Sequence, residues 1–220
     1  AHEFYGFVQD DFKINRRIMA NVGLHFSNFI VREKYYNALQ PRAAFNFLLD
    51  EKSSLKTSYS RMAQYLHLLT NTTIGLPTDL WVPATDTIPF QIGDQYALGY
   101  TRELEKGYRI TTEAYYKQMN NMIEYKEGAS FFDTSNDWEQ LVEVGKGFSY
   151  GLEVLLEKRT GKTTGWIGYT LSWTNRKFEN VFLALSHPNI VTLLVVLAVA
   201  AIMALFLPSS VSTATAASFT

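Results

Sequence analysis

From residue 1 to about residue 180, apolar and polar residues alternate with a period of two, in runs broken by short polar turns. Such alternation is the pattern of β-strands with two unlike faces. It predicts eight strands, at 4–14, 18–31, 42–50, 54–66, 94–104, 108–122, 147–159 and 163–175. In the second, Ile18, Ala20, Val22, Leu24 and Phe26 share one face, and Asn21, His25 and Ser27 share the other. In the seventh, Phe148, Tyr150, Leu152, Val154 and Leu156 oppose Ser149, Glu153 and Glu157.

Most of these runs exceed the roughly 5–6 residues of a soluble strand and match the ~9–11 needed to cross a bilayer at a tilt. Turns of about three residues follow strands one, three, five and seven, and longer loops, 32–41, 67–93 and 123–146, follow strands two, four and six. Short turns on one side and long loops on the other is the layout of an outer-membrane barrel. The fold expected is all-β: an antiparallel transmembrane β-barrel section of about eight strands, polar inside and apolar toward lipid. A soluble β-sandwich or lipocalin-like barrel has the same period with the faces exchanged, and periodicity alone does not separate the two. Arg61 and Arg102 fall on the apolar parity, near strand ends where a charged head reaches the interface. Tyr59, Tyr65, Tyr96, Tyr100, Tyr116, Tyr169 and Trp173 are candidates for interfacial aromatic girdles.

The tail differs in kind. No charged residue follows Glu179, and residues 189–207 are nearly all apolar. A helix of that length reaches about 28 Å, close to the thickness of a bilayer core. A transmembrane helix at 189–207 is expected within a second segment, 181–220; a buried core helix or strand is the alternative. A fusion, or an assembly artefact joining two reading frames near residues 180–183, accounts for the composition break.

The formal net charge of −1 offers no basic excess to displace phosphate counterions, so nucleic acid is not an expected partner. With no cysteine, disulfides, thiolate metal sites and cysteine nucleophiles are excluded. His2, His25, His67 and His187 lack ligand-like spacing. Asp10 and Asp11, adjacent on a strand, point to opposite faces and do not converge on a metal. No catalytic constellation stands out, and neither an enzymatic activity nor a cofactor is expected. Binding chemistry concentrates in the two longest loops. The first carries Asp79, Trp81 and Asp86 with Pro77, Pro83 and Pro89; the second carries Phe131, Asp133, Asp137 and Trp138. Aromatic faces beside carboxylates suit a glycan or a metal chelate, and packing of loop on loop is the alternative for each residue.

Several strings resemble one family. Phe4-Tyr5-Gly6-Phe7-Val8-Gln9-Asp10-Asp11-Phe12-Lys13 is similar to a barrel strand of TonB-dependent outer-membrane receptors, of the Bacteroidetes type. The similarity continues through Gln40-Pro41-Arg42, Ser58-Tyr59-Ser60-Arg61, Leu76-Pro77-Thr78-Asp79-Leu80-Trp81-Val82-Pro83 and Asp94-Gln95-Tyr96-Ala97-Leu98-Gly99-Tyr100, as far as about Asn180. The resemblance implies a wall section of a 22-stranded barrel. It also implies energised uptake of a siderophore-bound iron, cobalamin or glycan at the extracellular loops. TonB–ExbB–ExbD would be engaged only through a plug domain that this sequence does not contain. The chain opens in mid-pattern at Ala1-His2-Glu3 with neither an initiator Met nor a signal peptide and is expected to be a fragment, not competent alone. Residues 207–217 are similar to the hydroxyl-rich hairpin tips of sodium–anion symporters, which gives an inner-membrane transporter piece as the alternative for the tail.

Overall fold

The computed structural model describes residues 1–69, 80–126, 129 and 137–178. The expected tail helix, the segment 181–220, and Asp79, Phe131 and Asp133 lie outside the described residues.

One antiparallel sheet holds eight strands in the order β1-β2-β3-β4-β7-β8-β9-β10. They are β1 (His2–Lys13), β2 (Ile18–Val31), β3 (Lys34–Leu48), β4 (Ser53–Gln64), β7 (Gln91–Glu103), β8 (Tyr108–Tyr125), β9 (Val142–Lys158) and β10 (Gly165–Lys177). Between β4 and β7, β5 (Leu66–Leu69) and β6 (Leu80–Pro83) form a separate two-stranded ribbon, and a single helical turn, α1 (Trp138–Leu141), precedes β9. Among the described residues no helix is long and apolar enough to cross a membrane, which says nothing of crossing by strands.

Tight turns close one end of the sheet. The Asn15 side-chain oxygen accepts the backbone N–H groups of Arg17 and Ile18, fixing the first hairpin. In the next, the Asp50 carboxylate accepts the Lys52 N–H at 2.7 Å, which lowers its pKa below the ordinary carboxylate range. Lys106 and Gly107 turn the third with positive φ.

One sequence expectation is corrected at the opposite end. Residues 32–41 are not a long loop: β2 and β3 meet in a two-residue turn, Arg32-Glu33, with Arg32 at φ 53°. The third strand therefore begins at Lys34 and not Arg42. Pro41 reads as a strand breaker in sequence, but β3 pairs with β4 only from Arg42↔Ser60 downward, so the proline stands where that ladder stops. β8 and β9 likewise run further than predicted, to Tyr125 and from Val142, which shortens the second long loop.

The register sorts the side chains. One face carries Asn21, His25 and Ser27 of β2, Gln40 and Asn46 of β3, Lys56, Ser58 and Ser60 of β4, Gln95 of β7, Glu113 and Lys117 of β8, and Ser149 and Glu153 of β9. The other carries Val22, Leu24, Phe26, Leu39, Phe45, Leu98, Leu152, Val154 and Ile167. Large apolar side chains stand exposed on the second face, Phe26 at 45% and Leu98 at 52%; on the first, Ser27 and Ser149 are buried, while Lys56, Ser58, Glu113 and Glu153 are exposed. A water-soluble sandwich would bury the apolar set. Only lipid is a suitable environment for so continuous an exposed apolar face.

Of the aromatic candidates, Tyr59, Tyr96, Tyr116 and Trp173 share the apolar face. Tyr59, Tyr96, Tyr116, Tyr150 and Trp173 are successive cross-strand partners over five strands. Ring centroids lie 5.0 Å apart for Tyr59–Tyr96 and 5.2 Å for Tyr150–Trp173. One position further from the tight turns, Arg61 pairs with Asp94 at 2.8 Å, and the Tyr59 hydroxyl donates to the same carboxylate at 2.7 Å. Arg61 thus reaches the interface as half of an ion pair. Tyr65 leaves the girdle set: it is 4% exposed, stacked on Phe29 at 4.7 Å, and joined to the Ser27 hydroxyl at 2.7 Å.

Candidate ligand-binding mouth

The long-loop end holds the packed parts of the molecule. Phe29, Val31, Ala38, Tyr65, Ala84 and Phe90 form one cluster there, and Leu69, Val82, Ile88 and Val142 a second. Both come from strand ends and from residues 65–69 and 80–90, so burial here fixes those residues against the wall.

Beside these clusters a cavity of about 290 Å³ is lined by Gln64, His67, Gln91, Met119, Met122, Glu124 and Arg176 among others. Gln64 and Gln91 are cross-strand partners on the polar face. Met119 and Met122 reach that same face from one strand because of a bulge at Asn121, which takes φ 58° and ties its side-chain amide to the Phe90 carbonyl at 2.9 Å. Gly145 and Gly147 opposite them make room: a Cβ on Gly147 would lie 2.9 Å from the Met122 sulfur, and one on Gly145 would lie 2.3 Å from the Phe178 ring. Arg176 and Glu124 close one side as an ion pair at 3.5 Å. His67 is 2% exposed and donates Nε2–H to the Pro89 carbonyl, the only role open to it opposite an acceptor, at 3.1 Å. Burial holds its imidazole below the ordinary histidine range, with the Pro89 contact opposing in part, so the ring is neutral at pH 7. Amides, soft sulfurs and one ion pair suit a neutral or weakly polar ligand group; nothing in this lining is a nucleophile poised by a base.

The four predicted loop residues among the described residues, Trp81, Asp86, Asp137 and Trp138, are spread over the loop end rather than gathered at one point. Trp81 lies on β6 opposite Leu68, 60% exposed. Asp86 is held by Arg32 at 3.2 Å, and Arg32 also reaches Glu139 at 3.5 Å, which ties the β2–β3 turn to the helical turn after the second long loop. Asp137 stands at the N-cap of that turn, and Trp138 packs against the Leu69–Val82–Ile88–Val142 cluster. Of the four, Trp81 is the one that presents an open aromatic face. The lining residues were missed for a definable reason. Strand parity places Gln64, Gln91 and Met119 on the polar face, but the bulge at Asn121 shifts parity, so Met122 and Glu124 are not readable by alternation.

The polar face also forms a trough of about 620 Å³ nearer the tight turns, bordered by Asp11, Asn21, Asn46, Lys56, Ser58 and Glu113. A long-stranded wall with tight turns at one end, packed loops at the other, a polar inner side and an apolar outer side defines a section of an outer-membrane β-barrel. Residues 2–191 match the family model described as TonB dependent receptor-like, beta-barrel, and the chain belongs to that family, whose members are outer-membrane proteins. The match is to the family as a whole and does not single out a Bacteroidetes type.

Solved structures agree on the fold. The alcaligin outer-membrane receptor FauA from Bordetella pertussis superposes with a TM-score of 0.56 at 16% identity, over 79% of this chain and 30% of that one. The FrpB iron transporter from Neisseria meningitidis (F3-3 variant) does so with a TM-score of 0.56 at 13% identity, over 80% of this chain and 26% of that one. The chain thus spans less than a third of either structure. No curated protein matches it.

Proposed function

We propose that this chain is wall and outer mouth of a receptor for energised uptake of a scarce ligand: siderophore-bound iron, cobalamin or a glycan. The observation that carries the reading is the polarity of the wall, with a hydrophilic inner face leading up to the Gln64–His67–Gln91–Met119 cavity beneath the loops. Family membership supports a transporter rather than an enzyme. In this reading Trp81, with Asp79, Asp86, Phe131, Asp133, Asp137 and Trp138, contacts the ligand from the loops. A plug elsewhere in the full receptor conveys the pull of TonB–ExbB–ExbD. The abrupt end of charge at Glu179 supports a separate segment 181–220, and sequencing the encoding DNA across codons 175–190 tests it.

The functional test is uptake in cells that depend on the full-length receptor. Growth is measured with ferric siderophores, cobalamin or oligosaccharides as the limiting nutrient. Trp81→Ala is expected to raise the concentration of one of these needed for half-maximal growth by about tenfold, the order of losing one aromatic anchor, with surface expression unchanged. Equal growth on all three classes with and without the receptor sinks the reading.

A further inference from the structure

The β9–β10 hairpin shows its outward face as a sequence of cross-strand pairs. From the tight turn upward these are Lys158/Gly165, Leu156/Ile167, Val154/Tyr169, Leu152/Leu171, Tyr150/Trp173, Phe148/Asn175 and Lys146/Lys177. The apolar pairs are bounded by lysine at both ends. Lys158 lies against the Tyr108 ring at 4.8 Å and has the Tyr108 hydroxyl at 3.4 Å. Lys146 and Lys177 have each other. They are direct cross-strand partners, both are exposed, and among the described residues neither has an ion-pair partner.

Like charges directly opposite on one face of a sheet repel. The next residue along the same row is Asn120, a hydrogen-bond donor and not a compensating acid. Position says what compensates instead. Twelve residue steps separate Lys158 from Lys146, which at ~3.3 Å per residue and a tilt of ~40° is roughly 30 Å of depth. An apolar band of about 25 Å fits between them, with Tyr150 and Trp173 in its upper half. The paired ammonium groups therefore stand at headgroup depth on the loop side of the membrane, where an anion from the lipid reaches both.

We propose that Lys146 and Lys177 clasp a phosphate group of an outer-leaflet lipid, with Asn120 as an auxiliary donor and the Tyr150–Trp173 pair against its acyl region. The site lies on the outward face, independent of any transported ligand. Two ammonium groups converging on one phosphate relieve their mutual repulsion and fix the register of the strand tops beside the second long loop.

The test uses the full-length receptor in detergent, titrated with bis-phosphorylated lipid A, with the same lipid stripped of phosphate, and with inorganic phosphate, read by native mass spectrometry. Lys146→Gln combined with Lys177→Gln is expected to weaken the phosphorylated lipid by roughly thirtyfold, at about fivefold per lysine near an anionic surface. Lys146→Arg with Lys177→Arg retains binding, and Lys158→Gln at the opposite edge leaves it unchanged. In nanodiscs of neutral phosphatidylcholine the double glutamine variant is expected to melt above the parent, because repulsion is gone; with lipid A present the order reverses. Equal binding of phosphorylated lipid by parent and double glutamine variant overturns the proposal, as does equal binding of the stripped lipid. Inorganic phosphate binding as tightly as the lipid overturns the lipid assignment. If the glutamine variant does not fold, loss of binding in the arginine variant overturns it.

Discussion

Gln40 bridges a gap in the wall to the backbone of Ala63: its side-chain oxygen accepts the Ala63 N–H at 2.9 Å. Its amide nitrogen lies 2.9 Å from the Ser27 hydroxyl and 3.0 Å from His25 Nδ1. This one side chain stands in for the ladder that β3 and β4 abandon above Arg42↔Ser60. A cavity of about 190 Å³ between the diverging strands, lined by Asn37, Gln40, Arg61, Ala63 and Phe90 among others, marks the gap.

Replacing that amide tests the seam. Gln40→Leu fills similar space but leaves the Ala63 N–H and the Ser27–His25 cluster short of partners. Unsatisfied buried groups cost about 1–3 kcal/mol each. The expected result is a lower unfolding midpoint and a lower temperature for the shift between compact and unfolded bands on a heat-modifiability gel. Gln40→Glu keeps the acceptor for Ala63 and is expected to lose less.

The ion pair at the outer interface gives a cycle. Asp94→Ala strands Arg61 and the Tyr59 hydroxyl at the lipid boundary and is expected to cost about 1–3 kcal/mol. Arg61→Leu with Asp94→Ala removes both charges together, and the double change is expected to cost about 0.5–3 kcal/mol less than the single changes Arg61→Leu and Asp94→Ala summed. Equilibrium unfolding in denaturant with lipid vesicles measures all four corners. Strict additivity would show that the two groups are merely adjacent.

Inside and outside are separable at two neighbouring residues. Leu152 faces outward in mid-band, opposite Ala114 and Leu171. Glu153 faces inward, directly opposite Glu113. Leu152→Lys is expected to cost about 2–4 kcal/mol, the range for a basic residue on the lipid face near the midplane. Glu153→Lys turns a like-charge pair into an opposite one and is expected to be neutral or stabilising by roughly 0.2–1 kcal/mol. The reverse ranking would mean that the apolar side faces inward.

His67 predicts acid sensitivity of the β5–β6 ribbon. Burial depresses its pKa in the folded chain below the unfolded value near 6.5. Below that pH the unfolded chain takes up a proton that the folded one resists. Stability is therefore fully present above about pH 6.5 and falls as the pH drops toward the depressed folded value. Hydrogen exchange over residues 66–69 and 80–83, corrected for intrinsic rates, is expected to quicken at pH 5.5 relative to 7.5. The same measurement on His67→Gln is expected to show little change with pH.

Alternation along the chain determined by itself that eight long strands exist, which side chains share a face, and where the tight turns fall. These are local properties of a period-two backbone, and Val22, Leu24 and Phe26 lie on one side whatever surrounds them. Which side meets lipid was not a local property. It needed the accumulated register, with Ser27 buried and Phe26 exposed on neighbouring positions of one strand. The hairpin at Arg32-Glu33, the parting of β3 from β4 at Pro41 and the bulge at Asn121 also depended on partners far off in sequence: Ala63 for Gln40, Asp86 for Arg32, Phe90 for Asn121. Of these, the bulge at Asn121 shapes the mouth cavity, and the parting at Pro41 opens the smaller cavity beside Gln40. Strand repetition is encoded in each run separately, whereas a departure from repetition is stabilised only by the neighbour that satisfies it.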